Sequence, residues 1–102
     1  MLGLMQDFPL LVHRILDHAA RWHGTTEIIS RSVEGPIHRT SYAELDRRSR
    51  ALASAVAKRL GAGTGTIIGS MAWNTWRHME IWYGVMGLGA IAYVSTNAEF
   101  LA

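Results

Sequence analysis

Apolar positions between Leu10 and His23 recur at helical spacing, with Leu11, Ile15, Leu16, Ala19 and Trp22 on one side and Arg14, Asp17, His18 and Arg21 elsewhere. The pattern predicts an amphipathic helix. Asp7 is placed to cap its start, Pro9 suits a first turn where a missing N–H breaks no helical bond, and Gly24 suits a left-handed stop. EIISRS and IHRT, on either side of VEGP, read as two β-prone runs around a Gly-Pro turn, hence a hairpin.

The clearest helical pattern is TSYAELDRRSRALASAVAKRLG. Tyr42, Leu45, Leu52, Val56 and Leu60 fall on one stripe, and Glu44, Arg47, Arg50, Ser54 and Lys58 fall opposite. Ser41 and Glu44 spell a capping box, in which the hydroxyl takes a backbone N–H and the carboxylate reaches back to the cap's own N–H. Gly61 marks the stop. TIIGSMAW then reads as a buried strand, Asn74 caps a third helix to about Gly87, and AIAYVS closes as a second buried strand. The order is helix, hairpin, helix, strand, helix, strand. It predicts an α/β fold in which the strands at Thr66 to Ala72 and Ile91 to Ser95 pair in parallel, because the helix between them supplies the crossover.

Composition adds boundaries. A chain of 102 residues, 49% hydrophobic and 18% charged, has apolar material for one domain or a piece of one. Without cysteine, disulfides and thiolate metal sites are excluded. The net charge of +2 is spread without a polybasic run. The opening MLGLMQDFPLLVHR lacks the basic start, apolar centre and cleavage site of a secretory signal, so the expectation is a cytoplasmic protein. From Ile81 to Ala98 no residue is charged, but the apolar part ends at Val94 and is broken by Gly84, Gly87 and Gly89. A buried helix followed by a strand fits that stretch better than a membrane span, which needs about 20 apolar residues.

GAGTGTIIG, Gly61 to Gly69, invites a phosphate-binding reading. Phosphate loops follow a strand and open a helix, whose N-terminus offers free N–H groups and positive dipole. Here the glycines follow a helix and lead into a strand, which predicts a helix stop and a connection. Gly24-Thr25-Thr26 continues into Glu27 rather than into glycine and lysine, and the only lysine, Lys58, lies far along a helix. His13, His18 and His23 recur every five residues, not the three or four that put two ligands on one helical face. Arg47, Arg48 and Arg50 stand beside Glu44 and Asp46 and read as a solvated surface rather than a nucleic-acid patch. Trp73, Trp76, Trp82 and Tyr83 read as core aromatics, with a ligand wall as the other possibility. No catalytic, cofactor-binding or metal-binding residue emerges.

Two longer stretches carry a family likeness. RTSYAEL, Arg39 to Leu45, resembles the first core motif of the adenylate-forming enzymes, the superfamily of acyl-CoA synthetases, luciferases and peptide-synthetase adenylation domains. MGLGAIAYVSTN, Met86 to Asn97, resembles the second, with matching order and separation. SRSVEGPIHRTSYAEL, AWNTWRHMEIWYGVMGLGAI and MLGLMQDFPLLVHRILDHAA narrow the likeness to fatty-acyl-CoA synthetases, especially those acting on medium-chain and related acids. Gly63-Thr64-Gly65-Thr66 replaces the family's Pro-Gly-Asp-Arg type turn, and Ala98 stands where a proline is common.

The resemblance implies an enzyme in which a carboxylate attacks ATP to give an acyl-adenylate and pyrophosphate, and the thiol of coenzyme A then displaces AMP. It further implies that the Ser/Thr/Gly loop with its lysine, the Mg2+ site, the ribose-binding aspartate and the mobile C-terminal domain all follow the second core motif. ATP, Mg2+ and CoA are thus implied for the full-length family and none for this chain. Residues 1–102 are expected to be a single partial domain, architectural and inactive alone. An exposed apolar surface with Trp76, Trp82 and Met86 is expected to support self-association or receive a missing downstream segment, with no nucleic acid and no transmembrane segment involved. The competing readings are a small non-enzymatic α/β domain that binds a partner protein through its aromatic helix, and a membrane-associated helical protein resting on Ile81 to Val94.

Overall fold

The computed structural model describes residues 3–33 and 35–95. Its elements are α1 (His13–Trp22), β1 (Glu27–Arg31), β2 (Ile37–Ser41), α2 (Tyr42–Leu60), β3 (Ile67–Met71), α3 (Trp76–Gly87) and β4 (Ile91–Ser95). Order and type follow the sequence pattern. β1 and β2 form an antiparallel hairpin, Glu27 opposite Ser41 and Arg31 opposite Ile37. β3 and β4 pair in parallel, Ile67 beside Ile91 and Gly69 beside Tyr93, with α3 as the crossover.

α2 is the central element, packed against α1 and α3. Its start is only half a capping box. The Ser41 hydroxyl accepts from the Glu44 N–H at 3.3 Å, but the Glu44 carboxylate turns outward to Arg47, whose Nε donates to it at 2.9 Å. The next free N–H groups are met by the chain ahead: Tyr42 donates to the Thr26 carbonyl at 3.3 Å and Ala43 to that of Gly24 at 3.1 Å. The helix ends at Gly61, in the left-handed conformation at φ 63° that glycine adopts without a Cβ penalty.

Several sequence expectations are corrected. α1 begins after Val12 with no side-chain cap, because Asp7 lies too far upstream to reach the first-turn N–H groups. The residue past α1 is His23 at φ −133°, and Gly24 has no positive φ. Glycine is required at position 24 for closeness instead: a Cβ there would lie 2.6 Å from the Ala20 carbonyl oxygen and 3.3 Å from the Ala43 Cβ. Gly24→Ala is therefore expected to destabilise the chain by about 1–3 kcal/mol through forced backbone displacement, read as a lower urea midpoint. A midpoint unchanged within error would show that the α1–α2 junction relaxes freely. α3 takes Thr75, not Asn74, as its N-terminal flank, and the Thr75 carbonyl accepts from His78 and Met79.

The two strands of the parallel pair are not buried on both faces as their sequence suggests. Ile68, Ser70, Ala92 and Val94 are half-buried, while Ile67, Met71, Ile91 and Tyr93 are exposed. The α1 stripe is likewise buried at Leu16 and half-buried at Ala19, leaving Leu11, Ile15 and Trp22 exposed, and Leu60 at the end of α2 is exposed too. Among the described residues the buried apolar set is Leu16, Leu45, Ala62, Val85 and Ala90. Two of these five are alanines, so the core that the chain makes by itself is thin.

Candidate functional site

Polar and aromatic side chains gather where β2, α2 and α3 meet. His38 of β2 stacks on Trp76 with ring centroids 4.1 Å apart and planes 16° from parallel. The Arg48 and Arg77 guanidinium carbons lie 5.1 and 5.0 Å from the Trp76 ring centroid, within cation–π range. Arg48 also reaches Glu80 through a short Nε–Oε1 hydrogen bond and a longer Nη2–Oε2 bond of 3.4 Å, so one guanidinium ties α2 to α3. The Glu80 carboxylate beside it raises the Arg48 pKa and keeps that charge fixed.

Above this cluster, a cleft of about 670 Å³ opens between the hairpin turn and the β3–α3 connection. Val33, Ile37, His38, Trp73, Thr75 and Arg77 are among its walls. At the turn, the Ser32 hydroxyl donates to the Pro36 carbonyl at 2.7 Å. The cleft combines an apolar wall with imidazole and guanidinium groups, and among the described residues no nucleophile and base are paired in it. Its cluster works as a clamp that holds the hairpin on the helices.

The glycine-rich stretch sits at the C-terminal end of α2, where the helix carries partial negative charge. Three of its backbone donors are engaged: Gly63 N–H with the Thr66 hydroxyl oxygen, Gly65 N–H with the Gly89 carbonyl, and Thr66 N–H with the Gly63 carbonyl, each at 3.1 Å. Gly65 and Gly89 take positive φ of 83° and 73°. The stretch thus seals the α2–β3 turn against the end of α3, a geometry that does not fit a nucleotide phosphate. Gly24-Thr25-Thr26 gives its carbonyls to the start of α2, as described above. Lys58 is exposed near the end of α2.

The arginines do more than face solvent. Arg47 pairs with Glu44 within α2, and its hydrogen bond holds the Glu44 carboxyl below its ordinary pKa. Arg50 hydrogen-bonds Asp46, which raises its pKa, and reaches Asp17 of α1 at 2.8 Å. Arg48 and Arg50 therefore each bridge two helices. His18 and His23 come together, centroids 5.9 Å apart, because the chain leaves the helix after Trp22. Among the described residues no three His, Asp or Glu side chains gather as a metal-binding group, and no helix is long and apolar enough to cross a membrane. The aromatic residues are less buried than expected for core: Trp73 and Trp82 are exposed and Trp76 and Tyr83 half-buried.

His78 is a buried polar residue with no signature in the sequence pattern. It is 2% exposed on α3, tilted against Trp82 at 5.3 Å, and neither ring nitrogen has a hydrogen-bond partner among the described residues. A buried polar group without partners costs about 1–3 kcal/mol. His78→Leu is therefore expected to stabilise the chain, seen as a higher melting temperature by circular dichroism. A lower one would show that the imidazole is held by contacts that leucine cannot replace.

Residues 15–101 match the family described as AMP-binding enzyme. The chain is 43% identical over 93 residues to the 3-methylmercaptopropionyl-CoA ligase of Ruegeria lacuscaerulensis, an alignment covering 91% of this chain and 17% of that protein. It is 37% identical over 101 residues to the medium-chain-fatty-acid–CoA ligase of Ectopseudomonas oleovorans, covering 99% of this chain and 18% of that one. Its fold is similar to the crystal structure of fatty acid AMP ligase from Legionella pneumophila, with a TM-score of 0.71 at 16% identity over 92% of this chain and 17% of that one. The chain thus spans less than a fifth of the length of these curated relatives.

Proposed function

Because the chain belongs to the family of AMP-binding enzymes, we propose that it is the N-terminal segment of an AMP-forming acyl-CoA synthetase and that it does not catalyse by itself. The full enzyme would join a carboxylic acid to coenzyme A, converting ATP to AMP and pyrophosphate. The observation that carries this reading is the 37% identity, over 99% of the chain, to a ligase of medium-chain fatty acids. The likeness to a 3-methylmercaptopropionyl-CoA ligase keeps the acid class at fatty and related short acids. The segment's part is architectural. α2 and α3 are locked together by Arg48 and Glu80, and α3 lies against β4 of the parallel pair.

Inactivity of the separate segment is supported by the engaged donors of the glycine-rich turn and by the negative end of α2 that faces it. Isothermal titration with Mg-ATP is expected to show no saturable binding, and a pyrophosphate-release assay with medium-chain acids and CoA no turnover. Saturable ATP binding that is lost in Gly63→Ala would sink this reading of the turn. Turnover by a chimera that carries these residues in place of the aligned segment of the Ectopseudomonas ligase is the positive result expected of a family segment.

A further inference from the structure

The cleft between the hairpin turn and the β3–α3 connection opens where Ala72 and Trp73 leave the carboxyl end of β3, the end of a parallel pair at which open α/β sheets hold their ligands. Its volume of about 670 Å³ falls within the range of small-molecule clefts. Val33, Ile37 and Trp73 line it while remaining 61%, 54% and 46% exposed, so a ligand laid against them would remove apolar surface from water. Trp76, another of its walls, is held in place by the His38 ring stacked on it and by Arg48, itself tied to Glu80.

The charges of the cleft have one sign. Arg77 and His38 line it, and among the described residues no carboxylate does. Arg48 is matched by Glu80, whereas Arg77 meets the Trp76 ring at 5.0 Å and no carboxylate among the described residues. The Thr75 hydroxyl, two positions before Arg77, makes no cap bond with α3, while the Ser32 hydroxyl is engaged with the Pro36 carbonyl at 2.7 Å. One unmatched guanidinium balances one negative charge, and its planar fork fits the two oxygens of a carboxylate. A polyphosphate would bring more charge than this wall neutralises. The other walls are apolar and suit an alkyl body.

We infer that this cleft binds a medium-length alkyl carboxylate, with the carboxylate on the Arg77 guanidinium and the Thr75 hydroxyl and the alkyl chain against Val33, Ile37 and Trp73. The site holds the acid without activating it, since no nucleophile and base are paired on its described walls. Its ligand class coincides with that of the proposed ligase, yet the site is built from this chain's own side chains and needs neither ATP, CoA nor the rest of a ligase.

Isothermal titration of the 102-residue chain with octanoate, in the absence of ATP and CoA, is expected to show one saturable site, with amide shifts in two-dimensional NMR centred on residues 35–38 and 72–77. Octanamide keeps the alkyl chain and removes the charge, acetate does the reverse, and each should bind at least about tenfold more weakly. Arg77→Gln should weaken octanoate at least about fivefold with little change for octanamide, a split that general damage to the hairpin would not produce. Trp73→Ala should weaken both. Octanamide binding as tightly as octanoate to the unaltered chain overturns the carboxylate assignment whatever the variants do. Many weak octanoate sites, with shifts spread over α1 and the β3–β4 strands, report adsorption on exposed apolar residues and overturn the cleft. AMP binding at the same amides more tightly than octanoate, or no saturable octanoate binding, overturns the inference as well. Each of these failures leaves the ligase reading to be decided by the chimera.

Discussion

Leu45→Ala is expected to lower the stability of the chain by about 2–5 kcal/mol, the cost of removing buried methyl groups and leaving a cavity behind. Leu45 is 1% exposed and sits on α2, the helix that packs against both α1 and α3. In a domain of this size each kcal/mol moves the melting temperature by about 4–8 °C, so a fall of at least about 8 °C is expected by circular dichroism. Leu45→Met, which keeps the volume, is expected to cost under about 1.5 kcal/mol. A small fall for alanine, equal to that for methionine, would show that α2 is not the centre of the core.

The Arg48–Glu80 pair gives the second large effect, and it is asymmetric. The Glu80 side chain is 11% exposed and that of Arg48 44% exposed. Arg48→Met leaves a desolvated carboxylate without its partner and is expected to destabilise by about 1–3 kcal/mol. It also removes the guanidinium that lies near the Trp76 ring. Glu80→Met leaves an arginine that water can still reach, and is expected to cost less. The double variant is expected to recover part of the loss, because no unpaired charge remains inside. Urea unfolding of all four proteins checks the order, and a Glu80→Met loss equal to or larger than that of Arg48→Met would overturn the burial argument. Loosening of the hairpin in Arg48→Met, seen as faster amide exchange in β1 and β2, would follow from weakening the clamp at Trp76 and His38.

Local chemistry was enough to read the elements. The stripe of Tyr42, Leu45, Leu52 and Val56, the hydroxyl of Ser41 and the left-handed Gly61 define α2 from within about one turn of each residue, so no distant contact is needed to find it. The parallel pairing of β3 with β4 was equally legible, because a helix of 12 residues between two strands forces a crossover. The orientation of the glycine-rich stretch after a helix instead of before one was visible in the order of residues. The family likeness, too, could be read in the stretches Arg39 to Leu45 and Met86 to Asn97, the last two residues of which lie outside the described ones.

What required tertiary structure were facts that join distant parts of the chain or depend on what stands opposite. Arg48 finds Glu80 across 32 positions and Arg50 finds Asp17 across 33, so their role as ties between helices has no local signature. Gly24 looked like a stop, but the approach of Ala20 and Ala43 decides why it is glycine. His78 sits in a helix pattern that gives no hint that both of its nitrogens lie buried without partners. Apolar runs at Ile67 to Met71 and Ile91 to Val94 state only that those residues favour burial. Which face is buried depends on the layers present, and here α3 lies against the pair while Ile67, Met71, Ile91 and Tyr93 stay exposed.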